Sequence, residues 1–490
     1  MNTDYKPTIR SVLPWLVAIA FFIETLDATI LNTAAPTIAD SLQVAPLSLK
    51  AALTSYALSL AVFIPVSGWV ADRLGTRLTF SSAMALFGLG SLLCGLALNL
   101  PMLVASRILQ GMGGSLMIPV GRIAMVRTYP RSQLIRALNF VIIPGLLGPL
   151  LGPLAGGLIV EWFPWRFIFW VNLPFCLAGV LMARRHMPDY REEDSPPLDW
   201  RGFLLFGSGV GLLAYALEVL GEHMLPRWAV GVIVVLAVAL ISAYLLTARR
   251  KERPLLALDL FKVRTFRISV VGAFLTRLSV GGMTFLLPLL YQIGLGFPPW
   301  KAGLLMMPTP AAAICMKFMT GPILQRIGHL NALRWNTLLL GGVVAAYSLI
   351  SPGRPLVLIV CLAFMHGFFM SLQFTSVNSL AYADIPNERT SGASTITSTA
   401  QQMSLSFGIA TASFLAILFL GGIHDAEPGV FAWGLHRTFW ILGGLTALSS
   451  AVFLGLRQDD GNNVSNRDNR VREPATSAQE ATLRTHSRRG

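Results

Sequence analysis

Apolar runs of about 20 residues recur along this chain from residue 12 to residue 456, and no other feature narrows its fold as far. An α-helix rises 1.5 Å per residue, so each run is long enough to cross a hydrocarbon layer about 30 Å thick. Charged residues are 13% of the 490 and apolar residues 54%, whereas globular proteins average about 25% charged; mean hydropathy is +0.62. The alternating strands of about 10 residues that build a membrane β-barrel are not found. The fold class is an all-α integral membrane protein.

The runs predict 14 spans, near 14–33, 51–71, 79–98, 102–126, 135–160, 165–184, 202–220, 228–247, 268–291, 302–324, 333–350, 355–378, 393–421 and 434–456. Lys6 and Arg10 precede the first run as they would a signal peptide. The length of that run, its two acids and the many equivalent spans after it favour a retained first span. With the N-terminus inside, 22 Lys/Arg fall in the N-terminus and the internal cytoplasmic loops, including Arg122, Arg127, Arg131, Arg136 and the run from Arg249 to Arg253. Six fall outside: Lys50, Arg166, Arg227, Lys301, Arg354 and Arg437. That imbalance predicts a multi-pass protein with both termini cytoplasmic. It also accounts for the net charge of +14 without nucleic acid as a partner.

Two stretches repeat. GWVADRLG (Gly68–Gly75) and GPILQRIG (Gly321–Gly328) share G-x-x-x-[DQ]-R-x-G at an offset of 253 residues. LQGMGG near Gly111 has a looser echo in MHGFFM near Gly367, and Pro130 and Pro386 follow their spans at an offset of 256. Constant offsets predict two homologous halves, an organisation found in transporters. The predicted domains are a six-helix bundle over 1–186, two extra helices with cytoplasmic linkers over 187–266, a second six-helix bundle over 267–456, and a disordered polar tail over 457–490.

Four motifs carry a resemblance to a known family. They are LDATILNTAAP (Leu26–Pro36) in span one, GWVADRLGTR (Gly68–Arg77) after span two, SRILQGMGG (Ser106–Gly114) in span four and GPLLGPLAGG (Gly148–Gly157) in span five. With these, the chain resembles the 14-span drug:proton antiporters of the major facilitator superfamily, and among them the MdtD-type multidrug transporters of bacteria. The likeness covers residues 12 to 456; Asn139 departs from it, standing where the longer span-five motif usually has glycine. It implies a major facilitator fold of two six-helix bundles plus two central helices, in the bacterial inner membrane. It also implies proton-coupled export of small amphipathic drugs by alternating access. Carried over residue by residue, it makes Gly68, Asp72, Arg73, Gly75 and Arg77 a gating loop that latches the inner side. In that loop Asp72 engages a helix N-terminus or a basic partner, and Gln325 stands in its place in the second copy. Gly148, Gly152, Pro153, Gly156 and Gly157 form the antiporter motif, and Asn32 and Gln110 join the substrate cavity.

The physical reading stands beside the resemblance. An ionisable residue at the middle of a span costs about 2.5–3.5 kcal/mol on insertion scales. Glu24 lies about 15 Å along span one, while Asp27 and Arg107 each lie about 9 Å from the outer end of their spans. Matching depth allows Asp27 and Arg107 to share one cavity and modulate each other's charge. The pair is either the proton-coupling site or a permanent structural ion pair. Glu24 either joins the coupling or only hydrates the cavity. Arg277, about 14 Å into span nine, either lines the substrate cavity or packs in the bundle. Lys317 snorkels, and Glu218 sits at the solvated interface. The glycines and prolines from Gly145 to Gly157 suit either a bendable seal or a static close-packed helix.

Several chemistries are absent. No Walker A, HExxH or GxSxG sequence occurs, and neither the seven histidines nor Cys94, Cys176, Cys315 and Cys361 show metal spacing, so the cysteines read as packing residues. No catalytic residue, metal or cofactor is expected, and the chain is not an enzyme; a receptor would need a folded signalling domain that the tail is too polar to form. The expected partners are the lipid bilayer, a small-molecule substrate and protons, with the protein a monomer. The alternative is an exporter or facilitator of one specific metabolite on the same fold.

Overall fold

The computed structural model describes residues 7–192, 197–220, 225–251, 254–420 and 428–465, and among them there are helices and turns but no strand. Nine spans precede the first complication: α1 (Val12–Ser41), α2 (Pro46–Leu74), α3 (Thr76–Gly95), α4 (Leu100–Thr128), α5 (Arg136–Trp162), α6 (Phe167–His186), α7 (Trp200–Leu220), α8 (Arg227–Ala248) and α9 (Arg264–Gly294). The next apolar stretch, Pro299–Leu349, is 51 residues long. As one helix it would extend about 77 Å, more than twice the hydrocarbon thickness. It breaks at Gly328, whose φ of 76° and ψ of 167° are not helical. Two spans result, α10 (299–327) and α11 (329–349). With α12 (Leu356–Tyr382), α13 (Thr390–Leu420) and α14 (Val430–Gly455), dividing that stretch at Gly328 brings thirteen apolar segments to fourteen spans among the described residues. The spans are longer than the apolar runs alone suggest, because polar residues at both ends stay helical.

The internal repeat is written in the backbone. Gly75 has φ 90° and Gly328 φ 76°, the left-handed region that a side chain disfavours. Each reverses the chain between the second and third span of its half. A Cβ on Gly111 of α4 would meet the Tyr56 carbonyl oxygen of α2 at 2.8 Å, and one on Gly367 of α12 would run into Thr309 of α10. The same helix pair therefore crosses in backbone contact in both halves, at the repeat offset.

Within the first half, α1 packs along α5, and α4 packs on both α2 and α3; in the second, α12 packs on the α10–α11 stretch and α9 on α13. Between the halves, α2 packs on α13 and α5 on the start of α10. α7 lies against both α2 and α13, and α8 packs on α7. With a mean hydropathy of 2.8 and only 17% of its window buried, α8 presents most of its surface to lipid. Lys50 of α2 is fully buried and hydrogen-bonds the Glu218 carbonyl at 3.1 Å, with the Glu218 carboxylate 3.8 Å away. Lys50 and Glu218, expected at the solvated interface, instead fasten α7 to α2. A buried ammonium needs such a partner.

Call the face where α1 begins the near face and the opposite one the far face. One hydrophobic cluster joins the two halves at the far face, running from Ile30, Leu31 and Leu53 through Phe285, Leu286 and Ala302 to Phe439. Toward the near face the clusters are separate, one within α1–α6 (Leu13, Phe80, Met117) and one around α7, α9, α12 and α13 (Phe206, Phe266, Ile396). The far side of the molecule is closed.

Residues 457–465, expected within a disordered tail, are packed. Asp460 pairs with Arg264 at 2.6 Å, Asn463 donates to the Ala383 carbonyl at 2.7 Å, and Asn462–Ser465 is helical. The tail beyond, 466–490, lies outside the described residues, as do Arg253 and the side chains of Arg131 and Asn139.

Candidate functional site

Four buried polar residues of the first half, Arg107, Gln110, Asn172 and Ser91, gather around Asp27 of α1. Its Oδ2 accepts from Arg107 Nη1 at 2.6 Å, and its Oδ1 accepts from Gln110 Nε2 at 2.9 Å and from Asn172 Nδ2 at 2.8 Å. Arg107 and Gln110 are three residues apart on α4, hence on one face. Arg107 Nη1 also donates to Gln110 Oε1 at 2.7 Å and its Nε to the Ala52 carbonyl at 3.3 Å. Gln110 Nε2 and Asn172 Nδ2 both reach Ser91 Oγ of α3, at 2.7 and 3.2 Å. The guanidinium stacks 4.2 Å from the centroid of Tyr56, on α2. Asp27 is 1% exposed and Arg107 not at all. Five spans thus meet at one buried ion pair, in surroundings where either charge alone would be several kcal/mol unfavourable.

Asp27 and Arg107 were expected to face one shared cavity. Asp27 and Arg107 are in direct contact and sealed from solvent, which follows from their equal depth together with helix rotations that turn both inward. Gln110, expected to line the substrate cavity, is fully buried in this network. Asn32, given the same role, is 3% exposed and donates to its own helix at the Ala28 carbonyl, 3.4 Å away. The sequence reading did not include Asn172, Ser91 or Tyr56. Asn172 left a signal, an amide inside the apolar run FIFWVNLPF (167–175).

Glu24 stands one turn before Asp27 on α1. Its Oε2 is buried and accepts no hydrogen bond, and it forms no ion pair among the described residues. Tyr56 Oη and Arg107 Nη2 are likewise buried without a hydrogen-bond partner. In the second half, Arg277 of α9 places its guanidinium 4.7 Å from the Phe374 centroid on α12. Arg277 Nη2 is buried without a partner, and the residue pairs with no acid among the described residues. Lys317 is exposed beside Phe318, which is 81% exposed, as a snorkelling lysine would be. Cys94 and Cys176 are buried and Cys315 and Cys361 exposed; no group of three metal-ligating side chains occurs among the described residues.

At the near face, Asp72 accepts from Arg127 of α4 at 3.1 Å, so the basic partner is the one of the two expected contacts that forms. Arg127 also pairs with Glu192 at 2.6 Å, and Glu192 N donates to the Asp72 carbonyl at 3.0 Å. The chain after α6 runs back as a strap under the loop: Arg77 Nε donates to Met187 O at 2.6 Å, Thr76 N donates to the Tyr190 carbonyl and Tyr190 N to Thr76 Oγ1. A Cβ on Gly75 would collide with Asp189 of this strap. Arg73 is exposed, and Gly68 has open space beside it, so neither is held by the strap.

The span-five glycines form a seam. Gly148, Gly152 and Gly156, at intervals of four, lie against Thr25, Thr29 and Ile30 of α1, and Thr29 Oγ1 donates to the Gly148 carbonyl at 3.3 Å. Gly157, one position on, faces the second half instead: a Cβ there would stand 2.9 Å from Trp300 Cα. Reciprocally, a Cβ on Gly303 of α10 would stand 2.9 Å from Leu154 Cα and would collide with the Pro153 carbonyl. Close approach through small residues is how helices associate in lipid.

Comparison with known proteins agrees with this geometry. The chain is 37% identical over 439 residues to the "Putative multidrug resistance protein MdtD" of Pectobacterium atrosepticum, covering 90% of this chain and 94% of that protein. It is 36% identical over 474 residues to the protein of the same name in Klebsiella pneumoniae, covering 96% and 99%. Among solved structures it shares its fold with a D-xylose–proton symporter (TM-score 0.64, 16% identity, 91% of this chain and 98% of that one). It does so equally with a bacterial homologue of the human lysosomal transporter Spinster (TM-score 0.64, 17% identity, 92% and 98%). Residues 17–409 match the Major Facilitator Superfamily, and the chain belongs to that family of membrane transporters.

Proposed function

We propose that this protein exports small amphipathic drugs or toxic compounds in exchange for protons, by alternating access across the bacterial inner membrane. The observation that carries the proposal is the buried Asp27–Arg107 pair at mid-membrane, with the half-buried Glu24 one turn away on α1. Ionisable residues in such places serve ion and proton pathways. The relatives named as multidrug resistance proteins support the cargo class. The positive-inside imbalance makes the near face cytoplasmic, with both termini on that side and the protein acting as a monomer. The far face, where the halves pack together, is then the periplasmic one, which fits an inward-facing state. The strap under Asp72, Arg77 and Arg127 fits the inner latch, and the span-five seam fits the outer gate. The bundle boundaries near residues 186, 266 and 456 follow the repeat, with α7 and α8 as the extra pair.

A proton moving through about 100 mV and one pH unit releases roughly 3.7 kcal/mol, sufficient for roughly a 500-fold gradient of a neutral compound. For a monovalent cation exchanged one for one, only the pH contribution remains, roughly tenfold. The test is purified protein in liposomes with an imposed pH gradient, scanning lipophilic cations against neutral compounds. Uphill movement that collapses with the gradient is expected; movement indifferent to the gradient would overturn the proposal. Arg277 favours a second reading, the export of one specific metabolite, because its unpaired guanidinium suits a cargo with a fixed negative group. Uptake restricted to a single anionic compound, with no response to lipophilic cations, would select it.

A further inference from the structure

We infer that Glu24, rather than the Asp27 that sits at the centre of the network, carries the exchanged proton, and that the Asp27–Arg107 pair is its fixed charged frame. The inference rests on the proton-coupled reading and divides the roles within it. Every polar group that touches Asp27 is a donor: Arg107 Nη1 on one oxygen, the amides of Gln110 and Asn172 on the other. A proton placed on Asp27 would have no acceptor and would displace one of these three bonds. It would also leave Arg107 facing only a neutral amide and the Ala52 carbonyl. The site is built for the carboxylate and holds it throughout.

Glu24 has the opposite surroundings. Its Oε2 is buried with no donor on it, and the Asp27 carboxylate lies three residues along the same helix face. A second unpaired negative charge there is disfavoured both by burial and by repulsion. The neutral acid fits this arrangement as it stands. Two buried groups await the ionised form: Tyr56 Oη and Arg107 Nη2, both without hydrogen-bond partners. Tyr56 has Glu24, Asp27 and Arg107 as its charged neighbours. When the Glu24 O–H bond breaks, the proton passes to water on the near side and the electron pair stays on the carboxylate. That carboxylate then accepts from Tyr56 and Arg107 until water on the far side returns a proton. The two donors give the deprotonated state its own stable geometry, as a two-state coupling device requires.

The experiment uses full-length protein in liposomes, with the best-exported of ethidium, tetraphenylphosphonium and a neutral dye as probe. Two readouts are taken, probe counterflow without a gradient and the number of protons moved per probe with one. Glu24→Gln is expected to keep counterflow and to lose gradient-driven accumulation at least ~10-fold, with Glu24→Asp restoring part of it. Asp27→Asn combined with Arg107→Gln removes both charges of the frame together; it is expected to lower the amount of folded transporter and to weaken counterflow and coupling together, whereas Glu24→Gln separates the two. A coupled Glu24→Gln, or a double variant that keeps full counterflow and loses only the protons, overturns the inference. Wild type that moves no protons with any probe overturns the underlying reading instead, and is recognised because the variants then match it. Infrared difference spectra on probe addition decide independently of the double variant's folding. A protonated-carboxyl band absent from Glu24→Gln is expected, and the same band unchanged in that variant overturns the inference.

Discussion

Adding one methyl group to Gly157 is predicted to open the far face. Gly157 and Gly303 are the closest reciprocal approach between the two halves. The Cβ of an alanine at 157 would stand 2.8 Å from the Pro299 carbonyl carbon and 2.9 Å from Trp300 Cα. At 303 it would stand 2.8 Å from the Pro153 carbonyl carbon and 2.9 Å from Leu154 Cα. These neighbours are backbone, so no side chain can swing aside, and the helices must separate by on the order of 1 Å to restore van der Waals contact. Overpacking of this kind costs about 1–3 kcal/mol, and it applies only in the closed state. The equilibrium between closed and open far face therefore shifts about 5- to 150-fold toward open. Gly157→Ala with Gly303→Ala adds less than twice the single effect, because the two sites touch. A membrane-impermeant maleimide on Ala34→Cys reads the shift, in a background with Cys94, Cys176, Cys315 and Cys361 replaced by serine. Ala34 is fully buried in the far-face cluster and is reachable only when it opens. Gly231→Ala, with nothing within 4 Å of its added Cβ, is the control. Labelling of Gly157→Ala at the control rate, in protein that melts normally, would refute the reasoning that this seam closes the far side.

Three further outcomes are expected. Arg107→Met strips from Asp27 the cation paired with it and should destabilise the protein by about 3–5 kcal/mol in detergent melting, with Asp27→Asn in the same chain recovering most of the loss; a single-variant effect under about 1 kcal/mol would contradict the buried-pair geometry. Asp199 caps α7 by accepting from Gly202 N at 2.9 Å and pairs with Lys251. Burial acts to raise its carboxyl, but the Lys251 and Gly202 hydrogen bonds outweigh burial and hold it below the usual carboxylate range. A lowered folded-state value means the stabilisation is full above the unfolded-state value and is lost as pH falls through the folded one. The melting difference between wild type and Asp199→Asn should therefore be of order 1 kcal/mol at neutral pH and vanish in acid. Ending the chain after residue 465 should leave melting unchanged, whereas ending it after residue 456 removes the Asp460–Arg264 bond and should cost about 1.5–3 kcal/mol.

What the sequence could and could not disclose follows from helix geometry. Rise per residue fixes depth, so the equal depths of Asp27 and Arg107 were readable, and they meet at 2.6 Å. Rotation about the helix axis is invisible in a run that is apolar all round. That is why Gln110 and Asn32 were expected on a cavity wall and lie sealed inside the bundle. Partners on other helices, such as Ser91 and Asn172, are separated from Asp27 by 64 and 145 residues of chain, with no local pattern linking them. Lys50 was counted as exposed because charge at a span end normally is; its burial depends on α7, whose docking against α2 no period in the sequence reveals. The Gly68–Gly75 and Gly321–Gly328 repeat was legible because a backbone with positive φ leaves its mark in residue type.

The repeat also separates frame from chemistry. Gly75 and Gly328 reverse the chain alike, and Gly111 and Gly367 bring equivalent helices into backbone contact. The residues beside those glycines differ in charge. Gln110, which holds Asp27, is matched at the repeat offset by His366. His366 is 3% exposed with neither ring nitrogen hydrogen-bonded, against the ring of Tyr347. Asp72, which holds Arg127, is matched by Gln325. Among the described residues the second half thus keeps these glycines and has neither the buried ion pair nor an acid in the place of Asp72. In an alternating cycle, rocking two equivalent frames would change surroundings symmetrically, but only the first half carries carboxylates for that change to act on. Under the proposed exchange, proton affinity is modulated at one place on α1, while the second half contributes the guanidinium of Arg277 and the packing surface of α10. Two copies of one scaffold, with acids inside the spans of one copy only, would then couple a symmetric motion to a directional exchange.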